Sequence, residues 1–383
     1  MTKRPNPIPL AIVLLVASPK HARADGSISY KYEDYSEPGG RVGVHTQGVV
    51  ASQDIGPDTK FGFTAVTDSI AGATPTGAPA PEGSTQVPLA HLSDHRKSWE
   101  TDLSRQFSRV NLSGGISESR EHDYISKGWS LNSLTDFNEK NTTLLAGVAG
   151  HEDRVETFFD PEHLYTKKHA FSAILGVTQL LDPLTKVIFN VSWTRDTGYL
   201  SDQYKVVTQT VEVVPGSFFP LVFAENRPDQ HNAGVAYAGI NRALPSLNAA
   251  LEGSYRFFSD TFGVTANTFE LLWLQKIGSR VTVSPDVRYY EQSAAKFYYY
   301  DLTQTTIVPT FTPDPSGTHY SSDYRLSSLY TTTFGIKVAW KIRDGLTIDA
   351  ALDRYTMHGR DGVTPQSAYP KANIVTTGIS YAW

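Results

Sequence analysis

The chain ends in the stretch Asn373-Ile-Val-Thr-Thr-Gly-Ile-Ser-Tyr-Ala-Trp383, in which apolar residues alternate with small ones. Because successive side chains of a strand point to opposite faces, Trp383, Tyr381 and Ile379 share one face and the small residues share the other. An apolar face that ends on an aromatic ring is typical of a transmembrane β-strand, whose outer side contacts lipid and whose ring lies at the membrane interface. The stretch therefore predicts the closing strand of a membrane barrel.

The N-terminus indicates export. Lys3 and Arg4 precede an apolar segment at residues 8–17, and Ala22-Arg23-Ala24 has the A-x-A pattern of a cleavage site. The apolar segment is too short for a spanning helix, and no later stretch reaches the roughly 18 to 20 apolar residues that such a helix needs. We expect residues 1–24 to be a secretory signal peptide and residues 25–383 to form one barrel in the outer membrane of a Gram-negative bacterium.

Composition excludes several kinds of site and partner. The chain contains no cysteine, which excludes disulfides, thiolate metal sites and cysteine nucleophiles. It carries 34 basic and 39 acidic residues, and loss of the basic signal peptide would make the balance more acidic. An acidic chain is not expected to bind nucleic acid. No motif indicates a cofactor.

Short polar turns alternate with longer connections along the chain. The short turns are predicted at residues 54–59, 107–110, 137–141, 181–185, 241–246, 276–280 and 341–346. The longer connections are predicted near residues 35–41, 69–98, 120–124, 151–168, 197–231, 258–263, 293–323 and 358–370. Since a spanning strand needs about 9 to 11 residues, this spacing predicts an all-β fold, an up-and-down antiparallel transmembrane barrel of about 16 strands with a range of 14 to 18.

Residues 246–291 show how the two faces of the strands differ. Apolar and small residues share one face: Leu247, Ala249, Leu251, Gly253, Tyr255, Phe257, Phe269, Leu271, Trp273, Val281, Val283, Val287 and Tyr289. The five mid-strand charged residues fall on the other face: Glu252, Arg256, Glu270, Asp286 and Arg288. A charge at mid-membrane on the lipid side would cost roughly 2 to 4 kcal/mol, so this sorting predicts a water-filled interior. Leu272 and Leu274 are exceptions that are predicted to point inward.

Two stretches resemble a functionally uncharacterised, porin-like family of Gram-negative outer-membrane barrels, catalogued as a domain of unknown function. The first runs from Gly176-Val-Thr-Gln179 through Trp193-Thr-Arg-Asp-Thr-Gly-Tyr-Leu-Ser-Asp-Gln-Tyr-Lys205 to Arg227-Pro-Asp229. The second comprises Ser254-Tyr-Arg-Phe-Phe-Ser-Asp-Thr-Phe-Gly263, Thr268-Phe-Glu270 and Arg288-Tyr-Tyr-Glu-Gln-Ser-Ala294. The resemblance implies the barrel fold and the outer-membrane location. It also implies an association with exported redox proteins, which accompany barrels of this family. The end of the chain similarly resembles the signal by which such barrels are recognised for assembly, with Trp383, Tyr381 and Ile379 as its residues.

The longest polar loop is a candidate constriction. Asp202 lies near its start and Asp229 near its end, and both could face Arg256 and Arg288 across the lumen, together with Asp260. In porins a loop that folds inward can set a transverse field between charges on the loop and on the wall. The alternative is a salt-bridge network that rigidifies the outer rim, since buried charges require partners.

The middle of that loop, residues 206–223, is unusually apolar. Such a surface usually has a partner. A self-packed hairpin above the barrel is the simplest interpretation. A plug of the lumen, a latch on a neighbouring subunit and a site for an apolar solute are the alternatives.

Metal and catalytic sites are weakly indicated. One outer loop is rich in His and acidic residues, namely His151, Glu152, Asp153, Glu156, Asp160, Glu162, His163 and His169, but their spacing matches no metal motif. His91, Asp94 and His95 form a weaker group. The chain contains no G-x-S-x-G, P-loop, G-x-G-x-x-G or H-E-x-x-H motif, so we expect no enzyme and no dedicated metal site.

The sequence thus predicts a porin-like channel for small polar or cationic solutes. Acidic lumen residues would favour cations, and Arg256 and Arg288 would shape the narrowest point; the acidic set is Glu252, Glu270, Asp286, Asp349 and Asp353. A non-conducting scaffold for periplasmic or surface partners, redox-linked ones included, is the first alternative, and a hydrolase on the outer rim is the second. Expected partners are outer-membrane lipid, lipopolysaccharide, the barrel-assembly machinery and, by analogy with porins of this size, two further copies in a homotrimer.

Overall fold

The computed structural model describes residues 25–81, 83–157 and 165–383. The expected signal peptide lies outside the described residues. The strands are β1 Gly26–Ser36, β2 Gly43–Asp54, β3 Thr59–Pro75, β4 Leu89–Phe107, β5 Val110–Arg120, β6 Tyr124–Phe137, β7 Thr142–Glu156, β8 Tyr165–Asp182, β9 Thr185–Gly198, β10 Val206–Val214, β11 Ser217–Ala224, β12 Gln230–Leu244, β13 Ala249–Asp260, β14 Thr265–Ile277, β15 Val281–Gln292, β16 Leu329–Arg343, β17 Leu346–Gly359 and β18 Lys371–Ala382. No helix of the described residues is long and apolar enough to span a bilayer.

Sixteen of these strands form one closed antiparallel barrel, which confirms the predicted fold class and strand number. Each strand pairs with its neighbours in sequence except at β9 and β12, which pair directly because β10 and β11 form a separate hairpin between them. β1 closes the barrel against β18, with Ser27 opposite Ala382 and Tyr35 opposite Ile374. Closure leaves no unpaired sheet edge, which is what a sheet in hydrocarbon requires.

The strand register confirms the two faces inferred from the sequence. On the outward face Leu251 lies opposite Trp273, and Phe269 lies opposite Tyr255 and Tyr289. On the inward face Glu252 pairs with Leu272, so this leucine does point inward as predicted. The lipid side is thus apolar and the lumen side carries the charges.

Seven tight turns join the strands at one end of the barrel, as predicted. One boundary was wrong: β12 continues through residues 241–244, and the turn follows at Pro245–Leu247 and Asn248, which adopts a left-handed conformation with φ of 51°. The turn between β16 and β17 depends on Gly345, with φ of 78°, where a Cβ would lie 2.3 Å from the carbonyl oxygen of Ala382.

Two predicted loops are shorter than expected. β3 extends to Pro75 and β4 begins at Leu89, so residues 69–75 and 89–98 are strand rather than loop. β7 and β8 likewise extend through residues 151–156 and 165–168. These strand ends lack apolar alternation because backbone pairing continues beyond the expected membrane zone, where no lipid contact selects for apolar side chains.

Candidate functional site

Two long connections form a cap over the outer mouth of the barrel, at the end opposite the tight turns. We define the cap as residues 199–229, which include β10 and β11, together with residues 293–328. Inward-facing residues near the outer strand ends are almost fully buried, with exposures of 6% for Asp68, 5% for Thr268, 3% for Thr331 and 0% for Ala372. The cap also contacts this end of the barrel directly, since the N–H of Val206 donates to the carbonyl of Thr76 at 3.0 Å.

The two segments of the cap are joined by backbone pairing. Asn226 and Tyr320 exchange two N–H···O bonds of 2.9 Å, and the N–H of Leu302 donates to the carbonyl of Thr208 at 2.9 Å. Val207, Leu302 and Tyr320 form a small apolar core, at most 1% exposed. The apolar loop at 206–223 is thus a self-paired hairpin, as its simplest interpretation predicted, and its base belongs to the cap.

A second apolar core attaches the cap to the strand ends. It consists of Phe262 and Val264 from the connection between β13 and β14, and of Ala295 and Phe297 from the cap. The rings of Phe262 and Phe297 meet edge to face with centroids 4.9 Å apart. Together the two cores give the cap its own packed interior.

A buried network of charges lies within the cap. Arg227 donates to Oε2 of Glu225 at 3.1 Å and to Oδ2 of Asp323 at 2.9 Å. Arg325 donates to both carboxylate oxygens of Asp323 through Nε at 2.9 Å, and it also pairs with Asp202. Glu225 and Asp323 are each 1% exposed, so these charges depend on one another for compensation.

The environment shifts the pKa values of these groups in different directions. Burial raises the pKa of Glu225 to about 7, and the neighbouring Arg227 offsets only part of this effect. Burial also acts on Asp323, but Arg325 and Arg227 outweigh it and hold the pKa of this carboxyl far below its usual range. Glu225 is therefore the member of the network that can take up a proton near neutral pH.

Lys205 fastens the cap to the barrel. It is 3% exposed, and its Nζ donates to the carbonyl of Pro75 at 2.6 Å and to Oγ1 of Thr74 at 3.3 Å, both near the end of β3. The same ammonium lies 5.7 Å from the centroid of the Tyr324 ring. Burial lowers the pKa of Lys205.

Below the cap the inner wall is charged and accessible. Asp286 and Asp353 both pair across strands with Gly335, and an oxygen of each lies within 2.3 Å of the position that a Cβ of Gly335 would occupy. Neither carboxylate has an ion-pair partner among the residues that the structure describes. Only glycine at position 335 leaves room for the two carboxylates to approach each other in this way.

Other charges of the wall are paired. Arg288 donates to Glu270 through Nε at 2.8 Å. Asp349 contacts Lys31 and lies 3.5 Å from Nζ of Lys337. Of the wall carboxylates predicted from the sequence, Asp286 and Asp353 therefore remain without a compensating charge. Glu252 also has no ion-pair partner among the described residues.

The predicted constriction residues are distributed differently from the expected arrangement. Asp202 belongs to the cap network, while Asp260 accepts from Nε2 of His231 at 3.0 Å and from the N–H of Val264 at 2.8 Å. Asp229 binds the N–H of Gly198 through its backbone carbonyl. Arg256 is exposed on the inner wall, and no described acidic residue pairs with it. The structure therefore brings neither arginine into an ion pair with these aspartates; it builds a rim network from other residues.

Several cap residues were not selected from the sequence. Glu225, Ser321, Asp323 and Arg325 belong to the network, in which the hydroxyl of Ser321 donates to Oε2 of Glu225 at 2.5 Å. Glu225 lies about 100 positions before the other three along the chain, and the four residues match no motif. The one local signal is Asp323, whose side chain accepts from the N–H of Arg325 and so caps the turn Tyr324–Leu326.

The His-rich outer loop forms no metal-ligating group in its described part; Asp160, Glu162 and His163 lie outside the described residues. His151 contacts Asp153 at 2.9 Å, and His169 lies 3.9 Å from Glu152. A different acidic cluster occurs on the outer rim, where ligand atoms of Asp94, Glu121 and Asp123 lie within 4.8 Å of one another. Of the weak group His91, Asp94 and His95, only Asp94 belongs to it.

The C-terminal residues close the barrel as the alternation predicted. The N–H of Trp383 donates to Gly26 at 3.0 Å, and the rings of Trp383 and Tyr381 have centroids 5.9 Å apart. The Trp383 ring covers Gly26, where a Cβ would lie 2.4 Å from it. Trp383, Tyr381 and Ile379 thus form a continuous outward apolar face at the seam between β18 and β1.

Comparisons with known proteins give one family and several structures of similar fold. A family model described as "Protein of unknown function (DUF3570)" matches residues 11–383. A search of curated proteins finds no match. Similar structures include a mutant of the ferric enterobactin receptor PfeA from Pseudomonas aeruginosa, at 12% identity and a TM-score of 0.47, with 94% of this chain and 60% of the receptor covered. A bacterial polysaccharide outer membrane secretin is 11% identical, with a TM-score of 0.49 and coverage of 94% and 98%. A loop L8 deletion mutant of OmpT from Vibrio cholerae is 9% identical, with a TM-score of 0.45 and coverage of 94% and 100%.

Proposed function

The chain belongs to the family described as "Protein of unknown function (DUF3570)", and because this description names no activity, we propose a function from the barrel and its cap. We propose that the protein is an outer-membrane channel for small polar solutes that prefers small cations, and that the cap gates its outer mouth. The family membership confirms the resemblance inferred from the sequence, and the closed barrel has the fold of outer-membrane proteins.

One observation carries the proposal: the inner wall below the cap retains uncompensated carboxylates. Asp286 and Asp353 meet over Gly335 and have no cationic partner among the described residues, although neighbouring acids on the same wall do. A structural wall would be expected to pair its charges, because an unpaired charge in a poorly hydrated site is costly. Unpaired acids on a wet wall would attract cations into the lumen.

The cap is the part of the protein that would gate the outer mouth of the channel. Its base is fixed by Lys205 and by two apolar cores, so the segments would move together. The same arrangement supports the alternative of a non-conducting barrel that presents the cap to a surface partner. Exposed apolar residues at the hairpin tip, Phe218 at 63% and Phe219 at 52%, favour this second candidate.

Recording in planar bilayers tests the two candidates. The mature protein, refolded in detergent, should give small conductance steps, and its reversal potential under a salt gradient should indicate cation preference. Glu139→Gln, in a tight turn at the opposite end, should behave as the wild type. Silent bilayers with the wild type and also with a variant that opens the cap would exclude the channel. Recovery of a stable exported partner would then favour the scaffold.

The remaining roles are proposed on the same basis. The outward apolar belt would lie in outer-membrane lipid and contact lipopolysaccharide at the cap end, and the Trp383 face would be read by the assembly machinery. The channel would act without a cofactor and without catalysis. We also retain the homotrimer as a proposal, which cross-linking in native membranes would test.

A further inference from the structure

An acidic cluster on the outer rim contacts the cap. Asp94 lies near the outer end of β4, and Glu121 and Asp123 lie in the short connection between β5 and β6. One ligand oxygen from each carboxylate lies within 4.8 Å of the others. Asp123 is only 2% exposed, so the cluster reaches into the protein.

The described residues supply this cluster with no ion pair, and Arg96, whose charge acts on Glu121, pairs with Asp68. No lysine, arginine or histidine among the described residues forms an ion pair with any of the three carboxylates. Asp123 accepts from Nε2 of Gln203 and from the hydroxyl of Tyr204, which are both neutral donors. Asp94 accepts from the backbone N–H groups of His95 at 2.6 Å and His122 at 3.3 Å. Grouped carboxylates without a cation repel one another, and burying an unpaired one costs several kcal/mol.

A second observation at the same place concerns Gln203. This cap residue is 9% exposed, and its carboxamide is directed at Asp123. Its Oε1 atom is buried and has no hydrogen-bond partner. The unpaired oxygen belongs to the same carboxamide whose Nε2 contacts Asp123, so it lies next to this carboxylate. Buried polar atoms are nearly always satisfied, so this oxygen indicates a ligand that accepts electron pairs.

We propose that Asp94, Glu121 and Asp123 bind a divalent cation, with calcium preferred, and that the carboxamide oxygen of Gln203 is its neutral ligand. An all-oxygen set of carboxylates and one amide is the donor chemistry of calcium, whereas zinc favours nitrogen and sulfur. Magnesium requires nearly octahedral geometry and keeps several waters, which a cluster of mixed, partly buried side chains suits less well.

The location gives this site a structural role. Gln203 belongs to the cap, whereas the three acids belong to the rim of the barrel, so the cation would fasten one to the other. It would act beside Lys205, which joins the same segment to the end of β3. The site would exist whether or not the barrel conducts, so its test is separate from the test of the channel.

Terbium luminescence tests the site on the refolded mature protein. Tyr204 contacts Asp123, so a bound terbium ion should be excited through tyrosine and should be displaced by calcium. We expect one saturable site, and a Kd for calcium of about 0.1 to 1 mM, as in extracellular calcium modules. Displacement by magnesium at lower concentration than by calcium would overturn the assignment to calcium.

Two conservative variants and one control decide the ligands. Asp94→Asn and Glu121→Gln should each weaken terbium and calcium binding by at least about tenfold, the smallest loss expected even for an outer-sphere partner. Glu152→Gln, an exposed acidic residue on the same outer side, should leave binding unchanged. Circular dichroism, together with a shift in electrophoretic mobility between unheated and boiled samples, confirms that each variant is folded. No sensitised terbium emission, or equal emission from the wild type and both folded variants, would overturn the proposal.

Discussion

Replacing Arg227 by methionine should open the cap. Arg227 bonds to Glu225 and Asp323, which are each 1% exposed. Removing one partner of a buried charge pair typically costs about 3 to 5 kcal/mol, because the other charge remains buried. Arg325 still compensates Asp323, so we expect the lower end of this range, about 3 kcal/mol, to fall on the closed cap. Since 1.4 kcal/mol is a factor of ten, the opening equilibrium should increase by about 100-fold.

Cysteine labelling measures this opening directly, because the chain has no cysteine of its own. Ala372 lies on the inward face near the outer end of β18 and is 0% exposed, so Ala372→Cys should react with a maleimide only when the segments at this mouth of the barrel move apart. The labelling rate should rise by about two orders of magnitude when Arg227→Met is added. Arg154→Met, which changes an exposed arginine, is the matched control.

An unchanged labelling rate in folded Arg227→Met would contradict the reasoning, since it would mean that the buried network contributes nothing to closure. The effect should also depend on pH. Burial raises the pKa of Glu225 to about 7, so at pH 5 this carboxyl is protonated and neutral. A neutral carboxyl loses less stabilisation than a carboxylate when Arg227 is removed. The increase should therefore be larger at pH 8 than at pH 5.

Three further changes should have defined outcomes. In the wild type, protonation of Glu225 favours the closed cap: its pKa is about 7 in the closed state against a reference value of 4.5, so this contribution is complete below 4.5 and is lost as pH rises through 7. After correction for the rise in thiolate with pH, measured on the unfolded protein, the labelling of Ala372→Cys should consequently increase from pH 5 to pH 7.5. Glu225→Gln should flatten that corrected profile, and equal slopes would refute the assignment to Glu225. The double change Asp286→Asn and Asp353→Asn should shift the reversal potential toward zero while conductance persists, and an unshifted potential would remove these acids from selectivity. Trp383→Ala should lower the amount of folded barrel in the outer membrane several-fold while refolding in detergent is nearly unchanged, and equal losses in both assays would indicate a role in stability rather than in recognition.

The barrel could be predicted from the sequence because its determinants are local. The alternation around residues 246–291 places the five mid-strand charges on the lumen face, and one misplaced charge at mid-membrane on the lipid side would cost roughly 2 to 4 kcal/mol. The tight turns could be predicted as well, because each one joins two strands that are adjacent both in the sequence and in the sheet. Prediction failed beyond the membrane zone, where lipid does not require apolar side chains: residues 69–75 and 89–98 pair as strands without an apolar pattern.

The cap could not be predicted because its contacts are not local. Arg227 and Asp323 meet across almost 100 residues, and Tyr320 pairs with Asn226 over a similar distance. Each residue alone resembles an ordinary loop residue, and only the closed barrel brings the two connections to the same mouth. The sequence did identify Asp202 and the hairpin region, since a polar loop with an apolar centre is unusual, but it offered no means of choosing their partners.

The distribution of paired and unpaired charges links the cap, the lumen and the rim. Where the protein requires rigidity, it pairs its buried acids with arginine or lysine, as at Asp323 and at Asp349. Among the described residues, two clusters of acids depart from this pattern, one over Gly335 in the lumen and one beside Gln203 at the rim. Since an uncompensated carboxylate is costly wherever water is scarce, each group requires a cation from solution or a proton. The lumen pair would exchange its cations rapidly because the wall is accessible, whereas the rim group would hold one ion because Asp123 is buried. A channel that recruits cations at its wall and a cap that is fastened by one therefore follow from the same electrostatic requirement, met at two different degrees of burial.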